Sequence, residues 1–238
     1  MQISPSIMCA DLMNLGNDLI EVEKAGADSV HIDIMDGHLV PGFTFGGDMV
    51  RRMRDATSLP LDVHLMSDAP LTHMAEFLPL GIETLSVHVE ASTDIVRCLS
   101  TIKAAGVRAG VALNPGTPFG HLEECLGLTD VVLIMAVCPG FIGQKQIAAC
   151  VAKAGSIARE LKARGYSRTE VVVDGGVKIE NVARIASDGV HRVVSGTGIF
   201  RKDMSIGAAV AEMRRQIGAT QDVQQHAGRR LNHPENRA

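Results

Sequence analysis

The chain has no tryptophan and a single tyrosine, Tyr166, in 238 residues. That leaves few flat platforms on which bases or sugar rings could stack. Basic runs are missing as well: none is longer than Arg229-Arg230, and the formal net charge is -4 with a pI near 6.1. No nucleic-acid partner is therefore expected. No window approaches the roughly 18 apolar residues of a membrane span. The opening MQISPSIMCADL also lacks the basic flank and apolar core of an export signal. The expectation is a soluble cytoplasmic protein with no membrane partner. Five cysteines (Cys9, Cys98, Cys125, Cys138, Cys150) are an odd number without C-x-x-C spacing. This argues against a disulfide framework or zinc knuckle and suits a reducing compartment.

What is present is ample apolar material, 46% of residues, enough for one large α/β domain. Apolar strands alternate with helical patterns along the chain. Strands are predicted over 3–8, 28–35, 61–66, 83–89, 107–113, 131–137, 170–174 and 191–195. Helices are predicted between them, including a short one over 119–125, and a last one over 206–217. Eight such units with short connections predict a parallel (β/α)8 TIM barrel over residues 1–218. The runner-up is a doubly wound open sheet, which would usually carry a Gly-rich fingerprint after its first strand, where this chain has Cys9-Ala10-Asp11-Leu12. Residues 219–238 are polar and are expected to form a mobile tail.

Two strands break the aliphatic pattern. In HIDIMDGH (31–38), side chains alternate, so His31, Asp33 and Met35 share one face and Ile32 and Ile34 the other. In LDVHLM (61–66), Asp62, His64 and Met66 share a face in the same way. Buried polar groups need partners, and a metal or a substrate is one such partner; hydrogen-bonded structural pairs are the bland alternative.

Barrel sites form at the C-terminal ends of the strands. There the sequence places Ser6, then His31, Asp33 and Met35, His64 and Met66, His88, Asn114, Met135, Asp174 and Ser195. His31, Asp33, His64 and Asp174 make a mixed nitrogen and oxygen set suited to one divalent metal, Zn²⁺ or alternatively Fe²⁺, Mn²⁺ or Co²⁺. Gly175 and Gly176 after strand seven, and Gly196, Thr197 and Gly198 after strand eight, put small residues where backbone N–H groups can meet an anion. The stretch from Gly140 to Gly143 after strand six supplies a further wall. A metal, a phosphate site and two carboxylates on different strands suggest proton transfer beside the carbonyl of a sugar phosphate. Positive charge at the carbonyl and neighbouring hydroxyl oxygens would stabilise the enediolate. One carboxylate would remove a proton from one face and the other return one to the opposite face, inverting a stereocentre.

From Ile3 to about Ile217 the chain resembles the ribulose-phosphate 3-epimerase family, through ISPSIMCADL (3–12), HIDIMDGHLVPG (31–42), LDVHLM (61–66), PGFIGQ (139–144), VDGGV (173–177) and VSGTGIF (194–200). The resemblance implies that His31, Asp33, His64 and Asp174 hold the metal and that Asp33 and Asp174 are the acid/base pair. It implies that Ser6 and His64 contact substrate, that Met35, Met66 and Met135 form a thioether wall, and that backbone near Gly143, Gly176, Gly196 and Thr197 holds phosphate. It also implies a small ketose phosphate as partner and a homo-oligomer, dimer or higher. Cys138 before Pro139-Gly140, Ile142, and Pro41-Gly42-Phe43 depart from the family's usual loops. Met8-Cys9 looks closer to the allulose 6-phosphate 3-epimerases. Ribulose 5-phosphate is the expected substrate, with allulose 6-phosphate as the alternative and a non-catalytic sugar-phosphate-binding barrel as the reading from another class. His88 is expected to be a hydrogen bonder beside the site. Asp36 and His38 are expected to shape their loop, His191 to face the opposite end of the barrel, and His73, His121, His226 and His233 to lie at the surface.

Overall fold

The computed structural model describes residues 1–231, with side chains through residue 220. Its strands are β1 (Gln2–Pro5), β2 (Val30–Met35), β3 (Leu61–Met66), β4 (Thr84–His88), β5 (Arg108–Leu113), β6 (Val131–Met135), β7 (Glu170–Asp174) and β8 (Arg192–Ser195). Each pairs in parallel with its neighbour, in the order β1-β8-β7-β6-β5-β4-β3-β2. A parallel bridge between Ser6 and His31 draws the remaining two edges together into a barrel. Pairing of the first strand with the last excludes the doubly wound alternative.

Around the strands lie α1 (Leu15–Lys24), α2 (Gly47–Ala56), α3 (Pro70–Phe77), α4 (Ile95–Ala104), α5 (Ala148–Ala163), α6 (Ile179–Ser187) and α7 (Ile206–Leu231). Helical spacing decides which face each one buries. In α1, Leu15, Leu19 and Val22 are buried while the intervening polar residues face water, and each such side chain contributes about 1.5–3 kcal/mol when fully buried. Asp28 ties α7 to the barrel by accepting from Ile3 N at 2.8 Å and from Arg214 Nη2 at 2.9 Å.

Three expectations need adjusting. The first strand stops at Pro5 rather than continuing to Met8. Ile7–Cys9 turns instead into a short 3-10 helix, with Cys9 N and Ala10 N donating back to Ser6 and Ile7 carbonyls. Between β5 and β6 the chain forms a 3-10 helix, Phe119–Leu128, in place of the α-helix expected over 119–125. Gly120 and Gly127 weaken an α-helix there, and 3-10 geometry is a common connector. Finally, the last helix, expected over 206–217, runs as α7 through Leu231 and so takes in part of the polar segment 219–238. Residues 232–238 lie outside the described residues.

The barrel interior is divided. On the β5–β8 side, Ala112, Val131, Leu133, Met135, Val172 and Val194 form a closed apolar cluster. The other half buries Ser4, Ser29, His31, Asp33, Asp62, His64, Thr84, Ser86 and His88. Barrel interiors are normally filled by branched aliphatics. The polar half therefore needs internal partners, and these organise the site.

Candidate active site

Asp33, His64 and Asp174 stand near the C-terminal ends of β2, β3 and β7, with His31 one turn of the pleat below Asp33. Their ligand-type atoms lie within 4.8 Å of one another. Asp33 Oδ1 is 3.4 Å from His31 Nε2 and 3.2 Å from His64 Nδ1. Asp174 Oδ2 is 3.9 Å from His31 Nε2 and 4.0 Å from His64 Nδ1. The two histidines are fully buried, Asp33 is buried, and Asp174 is partly exposed.

Each histidine is oriented from behind. His31 Nδ1 lies 2.8 Å from Asp62 Oδ2, one strand away, which turns Nε2 towards the cup. That Nε2 is buried and has no hydrogen-bond partner. His64 is held by a longer chain: its Nε2 lies 2.9 Å from His88 Nε2, His88 Nδ1 lies 3.0 Å from Glu90 Oε2, and Glu90 Oε1 accepts from Asn114 N at 2.7 Å. Burial lowers the His88 pKa. With His88 neutral, His64 donates from Nε2 and presents the Nδ1 lone pair to the cup. Ser6 Oγ donates to Asp33 Oδ2 at 2.7 Å.

An unpartnered buried imidazole nitrogen and two carboxylates around a common centre fit a divalent metal ion of the borderline type. Charges in the cup respond accordingly. Burial works against an imidazolium, but Asp33 and Asp62 outweigh it and raise the His31 pKa well above its ordinary value. A proton and a cation thus compete for the same lone pair. For Asp33, burial is outweighed by the neighbouring imidazoles, His31 first and then His64, so its carboxyl is held well below the usual range. Burial and the Asp33 charge push Asp174 up to about 7. Neighbouring carboxylates with their affinities driven apart are the arrangement of an acid/base pair.

Above the cup a pocket opens to solvent. It is lined by Ser6, Asp33, Met35, Met66, Met135, Asp174, Gly140, Gly143, Gly175, Gly176, Gly196 and Thr197; His31 and His64 lie beneath it. The structure thus gathers the expected residues in one place. Gly176 has φ 64°, and a Cβ there would sit 2.8 Å from Gln146 N. A side chain at Gly175, φ 110°, would meet the Val137 backbone N at 2.9 Å. The chain after β7 can follow this path only without side chains, and it brings the Gly175 and Gly176 backbone to the pocket wall. After β8, Ile199 N and Phe200 N close a turn onto Gly196 O. The Thr197 N–H meets the Cys9 thiol, which burial and then Asp33 and Asp174 raise to about 11.

Asp62, Glu90 and Cys9 were not among the expected site residues. Asp62 shares His64's face in the two-residue alternation, and Glu90 follows His88 by two, so both signals were present. Asp36 shapes its loop as expected, accepting from His38 N, Leu39 N and Asp68 N. His191 Nδ1 accepts from Val171 N at the far end of the barrel. His121 is exposed, whereas His73 is half-buried and bonded to Ser67 Oγ at 2.6 Å. His226 and His233 lie outside the described side chains.

A barrel with a histidine-carboxylate cup at its C-terminal mouth that could hold a divalent cation, and with glycine turns after β7 and β8 where phosphate-binding barrels carry their anion site, defines a class of TIM barrel. The model of the ribulose-phosphate 3 epimerase family matches residues 2–200. Among relatives, the ribulose-phosphate 3-epimerase of Bacillus subtilis (strain 168) is 42% identical over 199 residues, covering 84% of this chain and 92% of that one. Its counterpart in Escherichia coli (strain K12) is 37% identical over 216 residues, covering 90% and 95%. This chain belongs to the ribulose-phosphate 3 epimerase family. Among solved structures, 3-hexulose-6-phosphate synthase superposes with TM-score 0.64 at 17% identity, covering 91% of this chain and all of that one (100%). N-(5'-phosphoribosyl)anthranilate isomerase from Pyrococcus furiosus gives TM-score 0.63 at 16% identity, covering 92% and 99%. At such identities the likeness is one of fold.

Proposed function

We infer that the protein is an isomerase that epimerises D-ribulose 5-phosphate and D-xylulose 5-phosphate at C3, using Asp33 and Asp174 as the two proton-transfer groups. The single observation that carries this is the pair of carboxylates on β2 and β7, three steps apart around the barrel, both lining one pocket above two oriented imidazoles. Family membership supplies the substrate class.

His31, Asp33, His64 and Asp174 would hold one divalent ion, Zn²⁺ by preference for this donor set, with Fe²⁺, Mn²⁺ or Co²⁺ as alternatives. When bound, the ion supplies positive charge against the oxygens on which negative charge develops. The other steps fall to the chain itself. The amides near Gly176 and Gly196 receive the phosphate and set the sugar's register in the pocket. Ser6 fixes the Asp33 carboxylate by hydrogen bonding to Oδ2, and one carboxylate takes the C3 proton while the other delivers a proton to the opposite face. Met35, Met66 and Met135 wall the reacting carbons with polarizable sulfur and keep water from protonating them indiscriminately. Cys9, Cys138 and Ile142, positions at which the chain departs from the family's usual residues, line the same pocket, and the six-carbon substrate stands as the alternative.

Cytoplasmic residence rests on five free cysteines, and no helix among the described residues is long and apolar enough to cross a membrane. Assembly as a homo-oligomer rests on the exposed Ile20, Met49 and Leu71 of successive helices α1–α3. The deciding experiment is exchange of the substrate C3 proton with deuterated water by zinc-loaded protein, on ribulose 5-phosphate and on allulose 6-phosphate in parallel. Exchange is expected on the pentulose at the greater kcat/KM. Asp174→Asn is expected to reduce exchange by about 10²–10⁴-fold, the range for loss of a positioned acid/base group. Absence of exchange on any ketose phosphate would refute the reading.

A further inference from the structure

We propose that Arg192, at the base of the barrel, is a positioning residue for the metal cup and acts on His31 through Asp62. The inference rests on the cup reading given above and extends it by one layer.

Arg192 opens β8 and points into the barrel, where its side chain is 1% exposed. Burying a guanidinium costs several kcal/mol unless partners compensate. Its Nε and Nη2 have no hydrogen-bond partner. What it has is charge: Asp62 Oδ2 at 3.8 Å and Glu170 Oε2 at 3.4 Å. These two carboxylates are not equivalent. Glu170 has a second cation, Arg108, at 3.3 Å, and is partly exposed. Asp62 is buried, and among the described residues no other arginine or lysine lies within 4 Å of it. A plug for the barrel base needs no charge, since an aliphatic side chain would serve. Arg192 is therefore explained by Asp62 rather than by Glu170.

Charge balance leads to the same place. Asp33 and Asp174 together match a dication. Asp62 is a third buried carboxylate with a separate task, holding His31 Nδ1 at 2.8 Å so that Nε2 faces the cup. Arg192 Nη2 lies 3.8 Å from the same Oδ2 that meets His31, and its charge holds the carboxylate in that orientation. Outer partners of this kind commonly change metal affinity or activity by about 10–100-fold.

The test is a double-mutant cycle on the full-length chain. Zn²⁺ affinity is measured by competition with a chromophoric chelator for the wild type, Arg192→Met, Asp62→Asn and the double variant, with kcat and KM for C3 exchange and a melting curve on each. Arg192→Met is expected to weaken Zn²⁺ binding about 10–100-fold and to lower kcat with KM nearly unchanged, while Arg192→Lys recovers most of both. In the Asp62→Asn background, Arg192→Met is expected to add less than about twofold, because its route to His31 is already cut. Wild-type Zn²⁺ affinity in Arg192→Met, or an equal loss in both backgrounds, would overturn the proposal. If Arg192→Met alone does not fold, Arg192→Gln takes its place in both backgrounds: a loss of Zn²⁺ affinity confined to the Asp62 background supports the proposal, and unchanged affinity or an equal loss in both overturns it. A wild type that binds Zn²⁺ but exchanges no C3 proton would refute the epimerase reading and leave this cycle interpretable.

Discussion

At the scale of single residues, the site is a set of buried polar groups that explain one another. His31 without Asp62, or His64 without His88, would be an imidazole free to turn, and neither would present a defined lone pair. Glu90 ends the second of these chains. Burial alone would raise its pKa, but hydrogen bonds from His88, Thr117 and the Asn114 N–H outweigh burial and bring it down to about 2. A carboxyl whose folded-state pKa lies below its unfolded value binds fewer protons when folded. Its stabilisation is then present above about pH 4.5 and is lost as pH falls towards 2. Glu90→Gln is expected to lower the melting temperature at pH 7 and to flatten its fall across this acid window. Thermal melts of both proteins from pH 7 to 2.5 check this, and parallel curves would refute it. Gly176→Ala forces a side chain into a positive-φ position against Gln146 backbone. It is expected to raise KM for the sugar phosphate at least tenfold, measured by steady-state kinetics, while kcat at saturation falls less.

Elements carry the next level of decision, because the site is made by strand ends and held by what packs behind them. α5 reaches back across the C-terminal face of the barrel: Lys153 Nζ donates to the carbonyls of Asn114, Pro115 and Thr117 at 3.0–3.1 Å. One side chain thus closes the loop after β5, whose Asn114 N–H in turn donates to Glu90 Oε1. Hydrogen bonds from a charged donor contribute about 1.5–3 kcal/mol each when buried and less when half-exposed. Lys153→Met is expected to destabilise the protein by about 1–3 kcal/mol and to speed amide hydrogen exchange at 114–117 above that of β5 itself, read by mass spectrometry. Exchange raised equally through the barrel would instead indicate a global effect. The elements also show where local pattern misleads. Ile7 continues an apolar run, yet it lies in a 3-10 turn, because the backbone must swing there to bring Ser6 Oγ onto Asp33. Apolar periodicity records burial, and a turn can bury a residue as well as a strand can.

At the scale of the whole molecule, a metal held in the cup would couple to the fold. The cup draws on β2, β3 and β7, and a cation there would offset the repulsion between its carboxylates. Removal of the ion by a chelator is therefore expected to lower stability. A site filled at 100 times its Kd adds about 2.7 kcal/mol, which at roughly 2–4 °C per kcal/mol for a chain of this size corresponds to about 5–10 °C in melting temperature. Calorimetry before and after chelation, and after return of Zn²⁺, measures it; identical curves would show that the cup holds no ion. By itself the sequence determined the barrel and much of the cup, because both rest on short-range regularities. Apolar strands recur between helices, two-residue alternation puts His31 with Asp33 and Asp62 with His64, and glycines cluster after β7 and β8. Only the tertiary structure decided which polar groups meet across strands. That Asp62 takes His31, that Arg192 comes in from β8 to face Asp62, and that Glu90 reaches His64 through His88 depend on barrel register and side-chain direction. Those are properties of the closed ring, and no local pattern in the chain encodes them.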